Sequence, residues 1–255
     1  MNKVIKYVII DILRNKIILA YTLLLFLIAF SVFSLEGSSA KGLLSLLNLI
    51  LFIVPLVSVI FSTIYMYNSA EFIELLLSQP LKRKNIWMSL FVGISSSLCL
   101  AFLIGIGLPV FFYEPTATGY VMVFVGCILS VIFAAIAMLA SVIARDKAKG
   151  IGAAILIWLY FALIFDGLVL FLLFQFADYP LEKPMMIISF LNPIDLGRIS
   201  VLLRVDESAL MGYTGAVFKN FFDTNKGMLI TLIVLIGWCV MPLMFSLRKF
   251  KLKDL

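Results

Sequence analysis

Apolar residues in this chain occur in six long runs that short polar segments separate. The runs lie at about 17–35, 43–65, 86–113, 120–144, 151–176 and 228–247. A helix needs about 20 apolar residues to cross the hydrocarbon core of a bilayer, and each run is about that long or longer. The pattern therefore predicts an all-α integral membrane protein with six transmembrane helices. Pro55 and Pro109 lie inside predicted spans, where neighbouring helices can satisfy the backbone groups that proline leaves free.

Residues 1–16 have an amphipathic pattern instead of a continuous apolar run. Apolar side chains recur at helical spacing, and basic side chains lie opposite them. The apolar positions are Val4, Ile5, Val8, Ile9 and Ile12, and the basic positions are Lys3, Lys6 and Arg14. The segment is predicted to be an interfacial helix that lies on the membrane surface.

The composition agrees with a membrane protein and leaves few groups for catalysis. Hydrophobic residues make up 64% of the 255 residues and charged residues 13%, whereas soluble domains carry about 45–50% and about 25%. The chain has no histidine, the usual general base and a common metal ligand. Cys99, Cys127 and Cys239 lie in apolar runs without CxxC spacing. We therefore expect a non-catalytic chain with no metal site and no cofactor of its own.

The basic residues predict the orientation of the chain in the membrane. If the N-terminus is cytoplasmic, 14 of the 20 lysines and arginines fall on the cytoplasmic side, as the positive-inside rule requires. Six spans then place both termini in the cytoplasm. The net charge of +6 lies beside apolar runs and outside any nucleic-acid motif, so no nucleic-acid partner is expected. The 14 residues are Lys3, Lys6, Arg14, Lys16, Lys82, Arg83, Lys84, Arg145, Lys147, Lys149, Arg248, Lys249, Lys251 and Lys253.

The loop after the second span, residues 68–80, is predicted to form a short helix. Asn68 can cap the start of the helix, with Glu71 three residues later in a capping-box arrangement, and Pro80 ends it. Phe72, Leu75 and Leu76 give the helix an apolar face. Two interpretations are equally consistent with the pattern. The helix either docks in a groove of a cytoplasmic partner or lies at the interface ahead of the basic residues.

Asp166 lies deep in the fifth span, where a charged side chain is costly. It either faces a cavity or a helix partner, or is protonated and hydrogen-bonded to a neighbouring hydroxyl group. In the fourth span, small residues at i, i+4 spacing predict close packing of helices, within the chain or across a dimer. These small residues are Gly126, Ser130 and Ala134.

The segment 177–227, between the fifth and sixth spans, is predicted to lie outside and to contain short helices. Asn192 is a helix cap, Pro193 occupies the first helical position and Asp195 lies in the first turn. A second short helix is predicted to begin near Asp206. These helices either dock a periplasmic protein or seal the bundle. Met185, Met186 and Met211 are interpreted as apolar packing residues in preference to Cu(I) ligands.

Four stretches resemble a known family. They are ELLLSQPLKR at 74–83, FALIFD at 161–166, LNPID at 191–195 with Arg198, and SALMG at 208–212. The first is similar to a stretch in ABC-2-type transporter permeases. The other three are similar to segments of NosY-like permeases, the membrane subunits of the ABC system for nitrous oxide reductase maturation. The resemblance covers essentially the whole chain as a single membrane domain, 1–255.

The resemblance implies a homodimeric permease of the bacterial inner membrane. The implied partners are a second copy of the chain, a cytoplasmic ABC ATPase that binds ATP and Mg²⁺, and a periplasmic β-helix protein. The chain itself has no GxxxxGK[ST] phosphate loop. The expected ATPase-coupling residues are Asn68, Glu71, Phe72, Glu74, Leu75, Leu76 and Arg83, and the expected periplasmic docking residues are Asn192, Asp195, Arg198 and Arg204.

The implied task is assembly of the copper–sulfide site of nitrous oxide reductase, by export of a sulfur species or by mechanical work on the periplasmic partner. One alternative is an ABC-2 permease for a lipid, a polysaccharide or a drug. Another is a proton-coupled secondary transporter that uses Asp166, for which inverted repeats are expected and none is visible.

Overall fold

A computed structural model describes residues 2–35, 39–144, 146–176, 182–202, 204 and 225–252. Within these ranges the chain forms helices and connecting turns, with no strand. The helices are α1 Asn2–Leu13, α2 Lys16–Leu35, α3 Ser39–Asn68, α4 Ala70–Leu77, α5 Arg83–Phe102, α6 Leu108–Tyr113, α7 Ala117–Ile143, α8 Lys147–Leu159, α9 Phe165–Gln175, α10 Glu182–Ser189, α11 Pro193–Leu202 and α12 Asn225–Leu252.

Six helical stretches are long and apolar enough to cross a membrane, which confirms the predicted spans. We number them spans 1 to 6. They are Lys16–Leu35, Lys41–Asn68, Arg83–Tyr113, Ala117–Ile143, Lys147–Gln175 and Gly227–Leu252. Span 3 joins α5 to α6 through a π-helical turn at Leu103–Gly107, and span 5 joins α8 to α9 through a second one at Tyr160–Ile164.

Spans 2, 3 and 4 form the centre of the bundle. In the most apolar window of these three spans, between 50% and 67% of the residues are buried. In spans 1, 5 and 6 only between 17% and 22% are buried, so these three spans lie at the periphery. Their exposed leucine, isoleucine and phenylalanine side chains suit contact with lipid or with other membrane helices.

The small-residue stripe of span 4 packs within the chain. A Cβ atom added at Gly126 would lie 2.1 Å from the Cζ atom of Phe102 in span 3. Phe102 is fully buried, and its ring occupies the space that the missing side chain leaves. Ser130 donates a hydrogen bond to the Gly126 carbonyl, 2.9 Å away, so its hydroxyl group is satisfied inside the helix. Glycine is therefore required where spans 3 and 4 meet.

Replacing Gly126 by alanine is expected to destabilise the fold by about 1–3 kcal/mol, because the added methyl group overlaps the buried Phe102 ring and forces it to shift. Thermal unfolding of the purified full-length chain in mild detergent measures the loss. Gly152→Ala is the control, since a Cβ atom there meets nothing within 4 Å. Equal losses in the two variants would contradict the packing argument.

Helix α1 packs along span 3, and its apolar face is the predicted one. Val8 and Ile12 are fully buried, whereas Lys3 and Lys6 are exposed. A Cβ atom at Gly93 of span 3 would lie 2.4 Å from the Val8 Cγ1 atom, so this glycine permits the close approach of α1. The basic face of α1 is left at the surface of the protein.

Helices α10 and α11 form a hairpin that enters the bundle. At its turn, the Asn192 side chain donates a hydrogen bond to the carbonyl of Phe161, the middle residue of span 5. The Trp238 indole, near the middle of span 6, donates to the carbonyl of Phe190. The turn therefore lies close to the mid-depth of the spans. The sequence predicted short helices outside the bundle, whereas the described part of this segment is re-entrant. We call residues 182–202 the re-entrant hairpin.

Candidate functional site

Helix α4 carries an exposed stripe on one face. Glu71, Glu74, Leu75 and Ser78 follow the i, i+3, i+4, i+7 spacing of a single helical face, and all four are exposed. Leu75 is 57% exposed, although it is an apolar side chain, and it lies beside the two carboxylates of Glu71 and Glu74. The opposite face of α4 packs on the bundle through Ile73 and Leu76, which are buried. The sequence placed Leu75 and Leu76 on one face, and the structure separates them.

The start of α4 differs from the prediction. Asn68 was expected to cap the helix, but it is the last residue of α3. The cap position is Ser69, which makes no side-chain capping bond. The amide of Ile73 instead donates to the Ser69 carbonyl at 2.9 Å, so the helical hydrogen bonding runs nearly unbroken from α3 into α4. The Asn68 amide oxygen accepts a 2.7 Å hydrogen bond from the Lys147 ammonium group.

Helix α4 contacts α1 through one pair of aromatic rings. The ring of Phe72 stacks on the ring of Tyr7 with a centroid distance of 5.1 Å. Near the end of α3, the Tyr65 hydroxyl donates to the Asp11 carboxylate at 3.1 Å. Movement of α4 would therefore be transmitted to α1 as well as to the connected span 2.

The same end of the bundle gathers many of the basic residues. The Arg83 guanidinium, at the start of span 3, donates to the carbonyl of Lys251 at the end of span 6. Close by, the Trp87 ring stacks on the Phe250 ring at 4.3 Å, and the Trp87 indole donates to the Ser246 hydroxyl at 3.0 Å. We call this end, with α1, α4, the starts of spans 3 and 5 and the end of span 6, the basic end. The exposed stripe of α4 carries two carboxylates, so its charge is opposite to that of the basic end around it.

A group of charged side chains lies where the re-entrant hairpin meets span 5. One guanidinium nitrogen of Arg198 lies 3.0 Å from an Asp166 carboxylate oxygen and 3.3 Å from an Asp195 carboxylate oxygen. The side chains of Arg198 and Asp166 are 33% and 31% exposed, and that of Asp195 is 13% exposed. We call these three residues the ion cluster. The sequence did not pair Asp166 with Arg198, because no basic residue lies in the spans near it.

The turn of the hairpin is fixed by Asn192, which is fully buried. Its amide nitrogen donates to the Phe161 carbonyl at 2.9 Å, and its amide oxygen accepts from the Ile194 amide at 2.9 Å. The second bond is the predicted helix cap, which the structure confirms. The first bond satisfies a carbonyl within the π-helical turn of span 5, where the regular i→i+4 pattern is interrupted.

Replacing Asn192 by alanine is expected to destabilise the fold by about 2–4 kcal/mol. The loss combines a helix cap with a buried carbonyl that is left without a donor. Thermal unfolding of the full-length chain in mild detergent measures the effect. Asn85→Ala, at an exposed position at the start of span 3, is the matched control. A change no larger than that of the control would contradict the assigned role.

The predicted docking residues of segment 177–227 lie in different environments. Asn192 and Asp195 are turned into the bundle, and Arg198 belongs to the ion cluster. Arg204 is exposed, and its guanidinium donates to the Met228 sulfur at 3.2 Å. The Thr118 hydroxyl of span 4 donates to the Arg204 carbonyl at 3.1 Å. The second helix predicted near Asp206 lies outside the described residues.

The described residues offer few sulfur or carboxylate groups that could bind a metal together. Within them, no three histidine, cysteine, aspartate or glutamate side chains are grouped as a metal site. The Cys99 thiol donates to the Cys127 carbonyl at 3.6 Å, so these cysteines contribute to the contact between spans 3 and 4. Met185 is buried in the core.

The described residues thus form a membrane bundle of six spans, with an exposed helix at the basic end and a re-entrant hairpin before span 6. The sequence profile described as "ABC-2 family transporter protein" matches residues 47–255. The chain therefore belongs to the ABC-2 transporter family. It is a membrane permease subunit, a class that works with an ATPase.

Two curated relatives carry a more specific name. The chain is 29% identical to the "Probable ABC transporter permease protein NosY" of Pseudomonas aeruginosa over 224 residues, which cover 79% of this chain and 81% of the relative. It is 27% identical to the protein of the same name from Stutzerimonas stutzeri over 264 residues, which cover 94% of each chain. The family match at residues 47–255 spans the re-entrant hairpin and the ion cluster as well as spans 3 to 6.

Proposed function

We propose that the chain is the homodimeric permease of an ABC system, and that the exposed stripe of α4 docks onto a cytoplasmic ATPase. The stripe is the observation that carries this proposal. Glu71, Glu74 and Leu75 point away from the bundle, while Ile73 and Leu76 fix the helix to it. A helix face with an exposed apolar residue next to two carboxylates suits a groove that is apolar in one part and basic beside it.

The proposed orientation places the basic end in the cytoplasm. The positive-inside rule supports it, because this end holds α1 and the starts of spans 3 and 5 with their lysines and arginines. Both termini are then cytoplasmic in the bacterial inner membrane. The re-entrant hairpin then enters the membrane from the periplasmic side.

Transmission from the ATPase would use the contacts of α4. The Tyr7–Phe72 stack and the Tyr65–Asp11 hydrogen bond join α4 and span 2 to α1. Helix α1 in turn packs on span 3 at Gly93. Two of the three central spans would therefore receive a movement of α4. Arg83, the remaining predicted coupling residue, would link span 3 to the end of span 6.

We further propose that the task is assembly of the copper–sulfide site of nitrous oxide reductase. Similarity to two permeases named NosY, along 79% and 94% of the chain, supports this assignment. The permease would export a sulfur species or would work mechanically on a periplasmic β-helix protein. That protein would dock at the periplasmic end of the bundle, where Arg204 is exposed.

Affinity purification of the tagged chain from its native membranes, in mild detergent, tests the proposal. We expect an ABC ATPase and a periplasmic β-helix protein to co-purify, with two copies each of permease and ATPase by native mass spectrometry. Recovery of the ATPase without the β-helix protein would favour a permease with another cargo. Recovery of the chain without any ATPase would overturn the proposal.

A further inference from the structure

Helix α1 has three sides with different surroundings. On one side Val8 packs against Gly93 of span 3, and on another Tyr7 stacks on Phe72 of α4. The third side holds an open groove of about 280 Å³. Its described lining residues, all on α1, are Ile5, Lys6, Ile9 and Ile10. Ile10 is 41% exposed, so the described bundle leaves an apolar part of this helix uncovered.

The groove lies near the boundary between the lipid headgroups and the hydrocarbon core. Span 3 has 31 residues and is about 46 Å long, whereas the core is about 30 Å thick. A span centred on the core therefore extends about 8 Å beyond it at each end. Gly93, where α1 packs, is ten residues from the start of span 3, or about 15 Å along its axis. Helix α1 is thus about 5–10 Å inside the boundary, the depth at which interfacial amphipathic helices bind.

Lys6 supplies a positive charge within this otherwise apolar groove. It is exposed, and among the described side chains the ion pairs are confined to the ion cluster, so no described carboxylate pairs with its ammonium group. The nearby carboxylates belong to other sides of α1. Asp11 accepts a hydrogen bond from Tyr65, and α4 with its glutamates approaches α1 at Tyr7. Helical spacing places Tyr7 and Asp11 about 100° and 140° around the helix from Lys6.

An anionic phospholipid matches both parts of the groove. The three isoleucine side chains suit an acyl chain, and a lysine ammonium group can extend along apolar surface to a phosphate at headgroup level. A small soluble anion would use the ammonium group but not the isoleucines. An apolar helix of another membrane protein would cover the isoleucines but would bury the ammonium group without a partner.

We propose that the groove of α1 is a binding site for one anionic phospholipid of the leaflet at the basic end. An acyl chain lies along the isoleucines, and the phosphate pairs with the Lys6 ammonium group. The exposed Lys3, one turn away along α1, adds to the attraction. The site belongs to the chain itself, so it does not depend on the ATPase or on the cargo proposed above.

Photo-crosslinking of the full-length chain in phosphatidylcholine nanodiscs tests the site. Two probes with the same photoactivatable acyl chain are compared, one a phosphatidylglycerol and one a phosphatidylcholine, and the labelled peptides are identified by mass spectrometry. We expect the phosphatidylglycerol probe to label α1 about fivefold more than the phosphatidylcholine probe, since one lysine near an anionic lipid contributes about that factor. Peptides from the peripheral spans are the internal control, with a ratio near one. Equal ratios in α1 and in those spans would overturn the proposal.

Lys6→Gln is expected to bring the labelling ratio of α1 close to one. Lys84→Gln is the matched control, because Lys84 is an exposed lysine at the start of span 3, outside the groove, and its loss should leave the ratio unchanged. A ratio that persists in Lys6→Gln would overturn the assignment. If this variant fails to fold, the wild type still decides, because a preference that rests on the ammonium group must fall as salt is added.

The acyl chain is tested separately from the phosphate. Ile10→Ser, at an exposed position, is expected to lower labelling of α1 by both probes, because it removes apolar surface from the groove. Soluble glycerol phosphate carries the charge without the chains and should not compete with the phosphatidylglycerol probe. Competition by glycerol phosphate as effective as that by unlabelled phosphatidylglycerol would show a site for a soluble anion, and would overturn the lipid assignment.

Discussion

Reversing both charges of the α4 stripe, in a Glu71→Lys, Glu74→Lys variant, is expected to weaken binding of the ATPase partner by about 100-fold or more. Both carboxylates are exposed on the face that points away from the bundle. If the partner presents basic side chains to this face, the change replaces two attractions by two like-charge contacts. Such contacts cost several kcal/mol at an interface, and a tenfold loss corresponds to about 1.4 kcal/mol.

The measurement is the affinity of the purified ATPase for the full-length chain in lipid nanodiscs, together with the stimulated ATP hydrolysis. Glu114→Lys is the matched control, because Glu114 lies at the opposite end of the bundle, between spans 3 and 4. Melting temperatures should be unchanged in both variants, since Ile73 and Leu76 still fix α4. Undiminished binding by the double variant would exclude the stripe from the ATPase interface.

Replacing Arg198 by methionine is expected to destabilise the chain by about 2–4 kcal/mol at pH 8. The substitution leaves two carboxyl groups facing each other inside the bundle. Removing one partner from a buried ion pair costs about 3–5 kcal/mol, and the partial exposure of Arg198 reduces that loss. Thermal or denaturant unfolding of the full-length chain in mild detergent measures the effect.

The loss should be partly recovered when Asp166→Asn is added to Arg198→Met, because one of the opposing charges is then removed. Arg204→Met is the matched control, as Arg204 is exposed and contacts a methionine sulfur instead of a carboxylate. If Arg198→Met and Arg204→Met have the same effect, the ion cluster does not stabilise the hairpin.

The six spans could be predicted from the sequence because each one is a long run that hydropathy alone identifies. The depth of the re-entrant hairpin could not. The segment between spans 5 and 6 contains polar residues such as Asn192 and Asp195, so its mean hydropathy predicts a position outside the membrane. In the structure these polar groups bond to span 5 and to the rest of the ion cluster. Only the three-dimensional pairing makes a polar segment compatible with this depth.

Helix α4 was predicted in position but not in detail. Helical spacing correctly identified an amphipathic segment after span 2, yet the assigned apolar face included Leu75, which is exposed, and omitted Ile73, which is buried. An eight-residue helix with three successive leucines, and two further apolar residues before Glu74, offers several possible faces. The contact with Tyr7 of α1 and the near-continuous helical hydrogen bonding at Ser69 select one of them. Neither can be read from the local pattern.

The π-helical turn at Tyr160–Ile164 fixes the angular phase of the second half of span 5. Such a turn corresponds to one extra residue in an α-helix, and one residue rotates the remainder of the helix by about 100°. Deleting a single residue from this turn would leave the hydropathy of span 5 nearly unchanged. It would nevertheless swing Asp166 out of reach of Arg198 and remove the carbonyl geometry that Asn192 satisfies. A single-residue insertion or deletion at this turn therefore acts on the chain as a rotation of the outer half of span 5, and it decides whether the ionic attachment of the hairpin can form.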